Sequence, residues 1–366
     1  MSKYSPLHEF HREAGAKLAD FGGWEMPIEY PASMGGGVLN EHRAVRENVG
    51  LFDVSHLGKA SVSGPGALEY LNSVFTNDLN RIGDGQAQYT LMCDDATGGV
   101  IDDLIVYRYS SERLFLIPNA ANTAVVLSRL QEKAPNGIHI KNLHESHSVL
   151  ALQGPTSDAV LQSLGVTPEL EYMSFKECTI AEKKIVLCRT GYTGERGYEI
   201  LSSWNDAKEI WSLLLDAVTS LGGRVAGLGA RDTLRTEMGY PLHGHELSMS
   251  ITPVEASASW AISWEKSFWG KAVMQSQRES KKHRVLHAIK IDDRGIPRAD
   301  MEVKDENGNA IGVVTSGTFS PTLKTGIALA LLSHRYPVDS KISIDIRGRA
   351  SAGTIVRLPF VPSHVK

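Results

Sequence analysis

Apolar residues recur at helical spacing in two places near the start of the chain. Leu7, Phe10 and Ala14 lie three or four positions apart, and a second helix is predicted from Val38 to Glu47. The pair Gly22-Gly23 lies between these runs and interrupts the pattern. The first fifty residues therefore predict a helix, a turn and a second helix.

A four-residue pattern that ends in Gly-Pro occurs twice. Val62-Ser63-Gly64-Pro65 and Leu152-Gln153-Gly154-Pro155 each precede an apolar run with helical spacing, and the two glycines are 90 residues apart. Proline is favoured in the first helical turn because its missing N–H group has no partner there in any case. The repeat indicates two related modules of mixed helix and strand.

The pattern changes in the last third of the chain. Residues 206–221 predict an amphipathic helix, and the charged segment 276–284 predicts a linker or a solvated helix end. Asn307-Gly308 then predicts a hairpin turn between strands at 301–303 and 311–315. From about residue 285 we expect a separate, mostly β domain. Because strands and helices alternate without a regular βαβ rhythm, the fold class is α+β.

Composition and charge limit the possible functions. The 366 residues are 42% hydrophobic and 22% charged, as in an ordinary folded protein, and they are numerous enough for more than one core. A net charge of −4 gives no basic surface for nucleic acid. No apolar run approaches the ~20 residues that span a bilayer. The three cysteines form no CxxC, and the N-terminal residues lack an apolar signal segment, so the cytoplasm is the expected compartment.

Common cofactor and metal motifs are missing from the sequence. It contains no Walker A motif, no GxGxxG between strand and helix and no HExxH. His243-Gly244-His245 could contribute to a metal site, but without further clustered ligands a pair of loop histidines is the favoured interpretation. His8 and His11, on the first predicted helix, are expected at the surface. No metal is predicted.

One strand carries two adjacent carboxylates. Residues 98–107 begin with a glycine pair and continue as an apolar, β-branched strand that contains Asp102 and Asp103. Neighbouring side chains of a strand point to opposite faces, so one of the two carboxylates must lie among apolar residues. A buried charge without a partner is unfavourable, and such a carboxylate requires donors, a raised pKa or a cationic ligand.

Two further segments combine glycines with charged and aromatic residues. Residues 189–200 contain three glycines beside Tyr192 and Glu199, which is typical either of a hairpin turn or of a loop that approaches a flat ligand. Residues 226–235 place Arg231 in the first turn of a helix, where a cation opposes the helix dipole. An anionic or planar ligand would compensate for that position, and so would a surface Arg–Asp pair.

These three segments, in this order, resemble the aminomethyltransferase (T-protein) family of the glycine cleavage system. The resemblance extends from about residue 5 to Pro362 and includes several other segments: 22–27, 52–56, 118–122, 251–255 and 315–322. It implies a three-domain, cloverleaf-like arrangement around a central folate-binding hole. The domains expected are a discontinuous first domain of residues 1–50 and 145–280, a second of 51–144, and a C-terminal β-barrel-like domain of 285–362.

The resemblance also implies a reaction. A lipoylated carrier, the H-protein, delivers an aminomethyl group to tetrahydrofolate, which releases ammonia and forms 5,10-methylenetetrahydrofolate. By position, Asp103 is the family's catalytic acid and Glu199 the residue that holds the amino edge of the pterin. Val365 stands where some relatives have a folate-contacting tyrosine, and Leu57 replaces a common methionine. The remaining residues implied to line the folate pocket are Tyr89, Asn119, Tyr192, Arg231 and Trp260.

Two alternatives remain on the same fold. A tetrahydrofolate-dependent demethylase would share the folate pocket and differ where the methyl donor enters. A non-catalytic folate-binding maturation factor for iron–sulfur proteins would carry a cysteine in the glycine-rich loop. Residues 190–194 contain none, and the motifs match the glycine-cleavage type better.

Overall fold

The structure is a computed structural model that describes residues 2–366. Within this range the chain forms eight α-helices: α1 (His8–Glu13), α2 (Val38–Glu47), α3 (Ala67–Val74), α4 (Thr123–Lys133), α5 (Ser157–Ser163), α6 (Ala207–Ser220), α7 (Leu228–Met238) and α8 (Lys271–Ser280). The strands in the same range are β1 (Lys3–Tyr4), β2 (Lys17–Phe21), β3 (Trp24–Glu29), β4 (Gly50–Asp53), β5 (Ala60–Ser63), β6 (Gln86–Cys93), β7 (Val100–Ser110), β8 (Arg113–Ile117), β9 (His139–Asn142), β10 (His147–Gln153), β11 (Phe175–Ile180), β12 (Lys183–Cys188), β13 (Gly197–Ser203), β14 (Arg224–Val225), β15 (Val285–Ile291), β16 (Glu302–Lys304), β17 (Ala310–Ser320), β18 (Thr325–Leu332), β19 (Lys341–Ile346) and β20 (Arg349–Val356).

The first fifty residues contain a hairpin that the sequence did not predict. β2 and β3 pair antiparallel around Gly22 and Gly23, whose φ angles of +62° and +86° suit glycine, and β1 joins β3 to complete a three-stranded sheet. The helices α1 and α2 lie where the hydrophobic spacing predicted them. The prediction of a simple helix, turn and helix is wrong because β2 is almost entirely exposed and lacks the apolar alternation that marks a strand.

A six-stranded sheet in the order β11-β12-β13-β10-β4-β14 forms the centre of one core. Its strands are antiparallel except β14, which runs parallel to β4. Apolar residues of β10 and β13, including Leu150, Leu152 and Ile200, pack against Trp211 and Leu214 of α6. Such burial of large apolar side chains contributes about 1.5–3 kcal/mol for each residue and explains why α6 lies on this face.

A second sheet, in the order β6-β7-β8-β5-β9, carries the strand with the two carboxylates. β7 is an interior strand, paired antiparallel with β6 on one side and with β8 on the other. Leu71 of α3, Val106 of β7 and Leu127 of α4 belong to the core beneath this sheet. The backbone of β7 is held along both edges from Ile105 onward, and at Asp102 and Asp103 it is held by β6, which fixes the direction of these side chains.

The repeated Gly-Pro pattern marks equivalent corners in the two sheets. Gly64 follows β5 and Gly154 follows β10, with φ angles of +124° and +134°, and each leads into a helix two residues after the proline. A Cβ on Gly64 would lie 2.0 Å from the carbonyl oxygen of Gly137, and one on Gly154 would lie 2.4 Å from that of Asn48. Only glycine fits at either corner, because the conformation and the neighbouring backbone both exclude a side chain.

The C-terminal part of the chain is a closed six-stranded barrel in the order β15-β18-β17-β16-β19-β20, with β20 returning to β15. β16 and β17 pair around the predicted Asn307-Gly308 turn, so the predicted hairpin is confirmed. In the charged segment 276–284, residues 276–280 form the end of α8, and residues 281–284 connect this helix to β15. The α+β class is confirmed by this combination of mixed layers and a barrel. The division into three domains stays a prediction. β4 spans the predicted boundary between the first and second domains at residue 50.

A network of buried charges joins α2 and α7 to the barrel, and we call it the junction network: His42, Arg46, Glu237, Ser320 and Thr322. The Glu237 carboxylate accepts hydrogen bonds from Arg46 Nη2 at 2.8 Å, from Ser320 Oγ at 2.5 Å and from Thr322 Oγ1 at 3.0 Å. His42 Nε2 lies 3.3 Å from the same carboxylate. Every strong acceptor position of this buried carboxylate is therefore occupied by a donor.

His11 is buried, so the expectation of a surface position is wrong. Its Nε2 lies 2.9 Å from Asp53 Oδ2 and its Nδ1 lies 2.8 Å from the hydroxyl of Tyr30. The inward face of the short helix α1 holds this histidine against β4. None of the helices described within residues 2–366 combines the length and the apolar character that crossing a bilayer requires.

Candidate active site

A cavity of about 490 Å³ lies where the two sheets, α7 and the segment after α7 meet. This volume is within the usual range for a site that binds a small organic molecule. The structure brings all seven sequence-predicted site residues to its wall: Tyr89, Asp103, Asn119, Tyr192, Glu199, Arg231 and Trp260. Positions up to 171 residues apart in the chain, 89 and 260, thus meet at one site.

Asp102 and Asp103 point to opposite sides of β7, as strand alternation requires. Asp102 is fully buried beneath the segment that follows β8. Its carboxylate accepts hydrogen bonds from Asn122 Nδ2 at 2.7 Å, from Asn119 Nδ2 at 2.8 Å and from the Asn119 backbone N–H at 2.9 Å. Burial is the main cause that raises the pKa of Asp102, and the charge of Asp103 adds to it. The hydrogen bonds from Asn122 and Asn119 lower this pKa in part. Asp102 thereby fixes the position of Asn119.

Asp103 lies on the cavity side of β7. Its two carboxylate oxygens accept hydrogen bonds from Tyr89 Oη at 3.0 Å and from Asn119 Nδ2 at 2.9 Å. Burial raises the pKa of Asp103, while the bond from Tyr89, the charge of His243 and the bond from Asn119 lower it in part. A carboxyl held rigidly in this way can bind a positive charge or move a proton.

Two aromatic rings stack beside Asp103. The rings of Tyr89 and Trp260 have centroids 5.2 Å apart and an interplanar angle of 22°. Trp260 is 68% exposed, an unusual position for such a large apolar side chain. This stack provides a flat apolar wall at the cavity, suited to a planar ring.

Glu199, on β13, also lines the cavity and is held by Thr190 of the glycine-rich loop. Thr190 Oγ1 donates to Glu199 Oε2 at 2.6 Å, while Glu199 Oε1 lies 4.0 Å from Arg231 Nη2. One carboxylate oxygen is thus fixed by the protein, and the other lacks a short hydrogen bond. The hydroxyl of Tyr107 approaches Thr190 from behind at 3.3 Å and supports the arrangement.

Arg231 is a largely buried cation without a full set of partners. Its guanidinium lies over the ring of Tyr192, 4.9 Å from the centroid, and its buried Nη1 has no hydrogen-bond partner among residues 2–366. Burial lowers the pKa of Arg231, and the charge of Glu199 raises it in part. An unpaired buried N–H group is unfavourable, so a ligand acceptor in the cavity would stabilise it.

The paired histidines after α7 both line the cavity, but they bond to different carbonyl groups. His243 Nε2 lies 3.1 Å from the Val100 oxygen, and His245 Nδ1 lies 2.9 Å from the Thr315 oxygen. Within residues 2–366, no three His, Cys, Asp or Glu side chains are grouped so that they could hold a metal ion.

The C-terminal tail covers the glycine-rich loop. His364 N–H donates to the Gly194 oxygen at 2.7 Å, and Arg189 Nη2 donates to the Val365 oxygen at 2.6 Å. Val365 therefore contributes a backbone contact that does not depend on its side chain.

Family models match almost the whole chain. Residues 7–266 match the GCVT N-terminal domain, and residues 284–362 match the glycine cleavage T-protein C-terminal barrel domain. The chain belongs to the glycine cleavage T-protein family. The resemblance in the sequence is thereby confirmed, and the closed barrel β15–β20 occupies the part that the second model matches.

Relatives of similar length support the T-protein assignment. The aminomethyltransferase of Parafrankia sp. (strain EAN1pec) is 55% identical over 98% of this chain and 97% of that protein. The aminomethyltransferase of Mycobacterium tuberculosis is 50% identical over 98% and 96%. The crystal structure of glycine cleavage system aminomethyltransferase T from Bartonella henselae superposes with a TM-score of 0.91, at 33% identity, and covers 100% of this chain and 99% of that one.

Several wall residues of this T-protein family member were not assigned to the site from sequence. Thr190 was part of the glycine-rich segment, but nothing in the sequence showed that it bonds to Glu199. His56 was part of a family motif, and the structure places it in the cavity with a buried Nδ1 that has no partner in residues 2–366. Leu57, beside it, also lines the cavity. The carbonyl contact that links His243 to β7 spans 143 residues and had no sequence signal.

Proposed function

We propose that this protein transfers the one-carbon unit of an aminomethyl group, carried on a lipoylated H-protein, to tetrahydrofolate. The products are ammonia and 5,10-methylenetetrahydrofolate. The observation that carries the proposal is the Asp103 carboxyl, held by Tyr89 and Asn119 at the wall of an aromatic-lined cavity. Membership of the T-protein family supports the reaction class.

The wall residues fit a reduced folate by their chemistry. A flat ring matches the stack of Tyr89 and Trp260, and the Glu199 oxygen without a short hydrogen bond can accept N–H donors such as those of a pterin edge. The unpartnered Nη1 of Arg231 requires an acceptor, which a folate offers as a carbonyl or carboxylate oxygen. We assign Tyr89, Asn119, Tyr192, Glu199, Arg231 and Trp260 to folate binding.

In this mechanism Asp103 is the catalytic residue. Tetrahydrofolate, when bound, supplies the two nitrogens that accept the carbon. Asp103 stabilises positive charge beside it and exchanges a proton at its carboxylate, while Asn119 and Tyr89 keep that carboxylate in one orientation. Asp102 acts only through Asn119 and is a positioning residue.

The test measures ammonia release by the full chain with tetrahydrofolate and H-protein that carries an aminomethylated lipoyl group. We expect ammonia and methylenetetrahydrofolate in equal amounts. The same assay with sulfonium or aromatic-ether methyl donors tests the demethylase alternative, for which ammonia would be absent and methyltetrahydrofolate would form. Folate binding without turnover of any donor would support a non-catalytic role and contradict the proposal.

A further inference from the structure

His243 has a fixed tautomer in its neutral form. Its Nε2 lies 3.1 Å from the carbonyl oxygen of Val100, and a carbonyl oxygen can only accept, so Nε2 carries the hydrogen. The neutral ring therefore has its lone pair at Nδ1. No residue in the described part of the chain forms a hydrogen bond with that atom, and it is not among the buried polar atoms without a partner. His243 thus offers a free basic nitrogen at the cavity wall.

The same strand anchors His243 and carries the catalytic carboxyl. Val100 lies three residues before Asp103 on β7, and both Asp103 and His243 line the cavity. A positive charge on His243 lowers the pKa of Asp103, as expected for two groups that line the same cavity. A ring held to an interior strand keeps a constant relation to the other groups of that strand.

The proposed reaction moves two protons. One carbon–sulfur bond and one carbon–nitrogen bond of the aminomethyl group break, and their electron pairs remain on the sulfur and on the departing nitrogen. Two carbon–nitrogen bonds form at the acceptor, whose two nitrogens each lose a proton. The sulfur gains one proton and the departing ammonia gains the other, so the reaction needs no oxidant or reductant. One carboxyl holds a single proton at a time, which leaves room for a second proton carrier.

We propose that His243 is this second proton-transfer group, which takes up a proton at Nδ1 and returns it to a departing atom while Asp103 handles the other. The proposal rests on the proposed function. In a contrasting role, His243 only anchors β7 through Val100. That role needs the hydrogen-bond donor at Nε2 but not the basic atom Nδ1. The two roles therefore predict different results for a side chain that keeps the donor and loses the base.

The experiment compares His243→Gln and His243→Ala with the unaltered chain in the ammonia-release assay. The glutamine amide can still donate to the Val100 oxygen but cannot carry a proton. We expect kcat to fall by about 10²-fold in both variants, the lower end of the usual contribution of a general acid–base group. We expect KM for tetrahydrofolate to change little, and added imidazole to restore part of the rate of His243→Ala.

His283→Gln is the matched control. The His283 ring also bonds to a backbone carbonyl, that of Gln277 at 3.2 Å, but it lies outside the cavity, and this variant should keep the full rate. An unchanged kcat in His243→Gln, or a change in KM alone, would overturn the proton-transfer role. Failure of the unaltered chain to release ammonia would instead contradict the proposed function, and the two failures are therefore distinguishable.

Discussion

The two ends of α7 both bury charge, but only one of them pairs it completely. Near its carboxyl end, Glu237 accepts hydrogen bonds from the side chains of Arg46, Ser320 and Thr322 in the junction network. Near its amino end, Arg231 keeps a buried Nη1 that no group in residues 2–366 satisfies. A saturated network holds the fold together, whereas an unsatisfied donor beside a cavity indicates a ligand. Changes in the two regions should consequently affect different properties.

Removing the junction carboxylate should produce the largest effect, on stability. Glu237→Ala removes the carboxylate that pairs with Arg46 Nη2 and His42, and loss of one partner of a buried ion pair costs about 3–5 kcal/mol. Arg46 Nη1 keeps its bonds to Glu195 and to the Thr193 oxygen. We expect chemical denaturation to show this loss in the free energy of unfolding, while the folded fraction still binds tetrahydrofolate. Glu302→Ala, at a half-exposed position on the barrel, is the control and should change stability little. Equal losses in the two variants would remove the distinction between the regions.

Acid should weaken the junction network. Burial alone would raise the pKa of Glu237. The hydrogen bond and charge of His42, together with Ser320 and Arg46, outweigh burial and lower this pKa from 4.5 to about 2. A carboxylate with a lowered pKa stabilises the fold above its unfolded pKa, and this contribution is lost as the pH falls through the folded pKa. It amounts to about 3 kcal/mol, lost between roughly pH 4.5 and 2. Unfolding measured across this range should be less pH-dependent in Glu237→Gln, and identical pH profiles would contradict the assignment.

Removing the cavity carboxylate should affect turnover and spare the fold. Asp103→Asn is expected to lower kcat by about 10²-fold or more, because the amide cannot exchange a proton. Since burial raises the pKa of Asp103, its ionised form is unfavourable, and the variant should be at least as stable as the unaltered chain. Ammonia release, thermal unfolding and folate titration measure the three properties. Asp305→Asn, in an exposed barrel turn, is the control, and full activity in Asp103→Asn would show that the catalytic assignment is misplaced.

The smallest of these effects concerns folate binding. Glu199→Ala removes the acceptor held by Thr190, and we expect the Kd for tetrahydrofolate to rise about 10-fold or more, the usual result of losing a hydrogen bond to a charged group. Isothermal titration would measure it. Thr190→Val keeps the carboxylate but removes its support, so its effect should be smaller. An unchanged Kd in Glu199→Ala would exclude that residue from the pocket.

The local pattern of apolar and polar residues predicted many of the helices and strands but little of how they pack together. The bounds of α2 agree with the structure because its hydrophobic spacing is regular, and β7 was recognised by its β-branched residues. The hairpin of β2 and β3 was missed because β2 packs little of its surface, and the burial of His11 was missed because its partner Asp53 is 42 residues away.

The site shows the same division between local and long-range information. Strand alternation alone placed Asp102 and Asp103 on opposite faces, and in the structure only Asp103 lines the cavity. Both carboxylates also bond to Asn119, a contact that alternation does not predict. The grouping of Glu199, Arg231 and Trp260 with them came from the family resemblance, because no local signal relates residues so far apart. Contacts such as that of His243 with Val100 depend on how the elements pack, and only the structure provides them.

The contacts of the C-terminal tail have a consequence for the order of events during synthesis. Residues 360–365 leave the ribosome after every residue that lines the cavity. The backbone bonds from Phe360 to Glu237 and from His364 to Gly194 can therefore form only once the barrel has been translated. A nascent chain that stops before this segment would carry all the wall residues but would lack the bond between the tail and the loop that bears Tyr192.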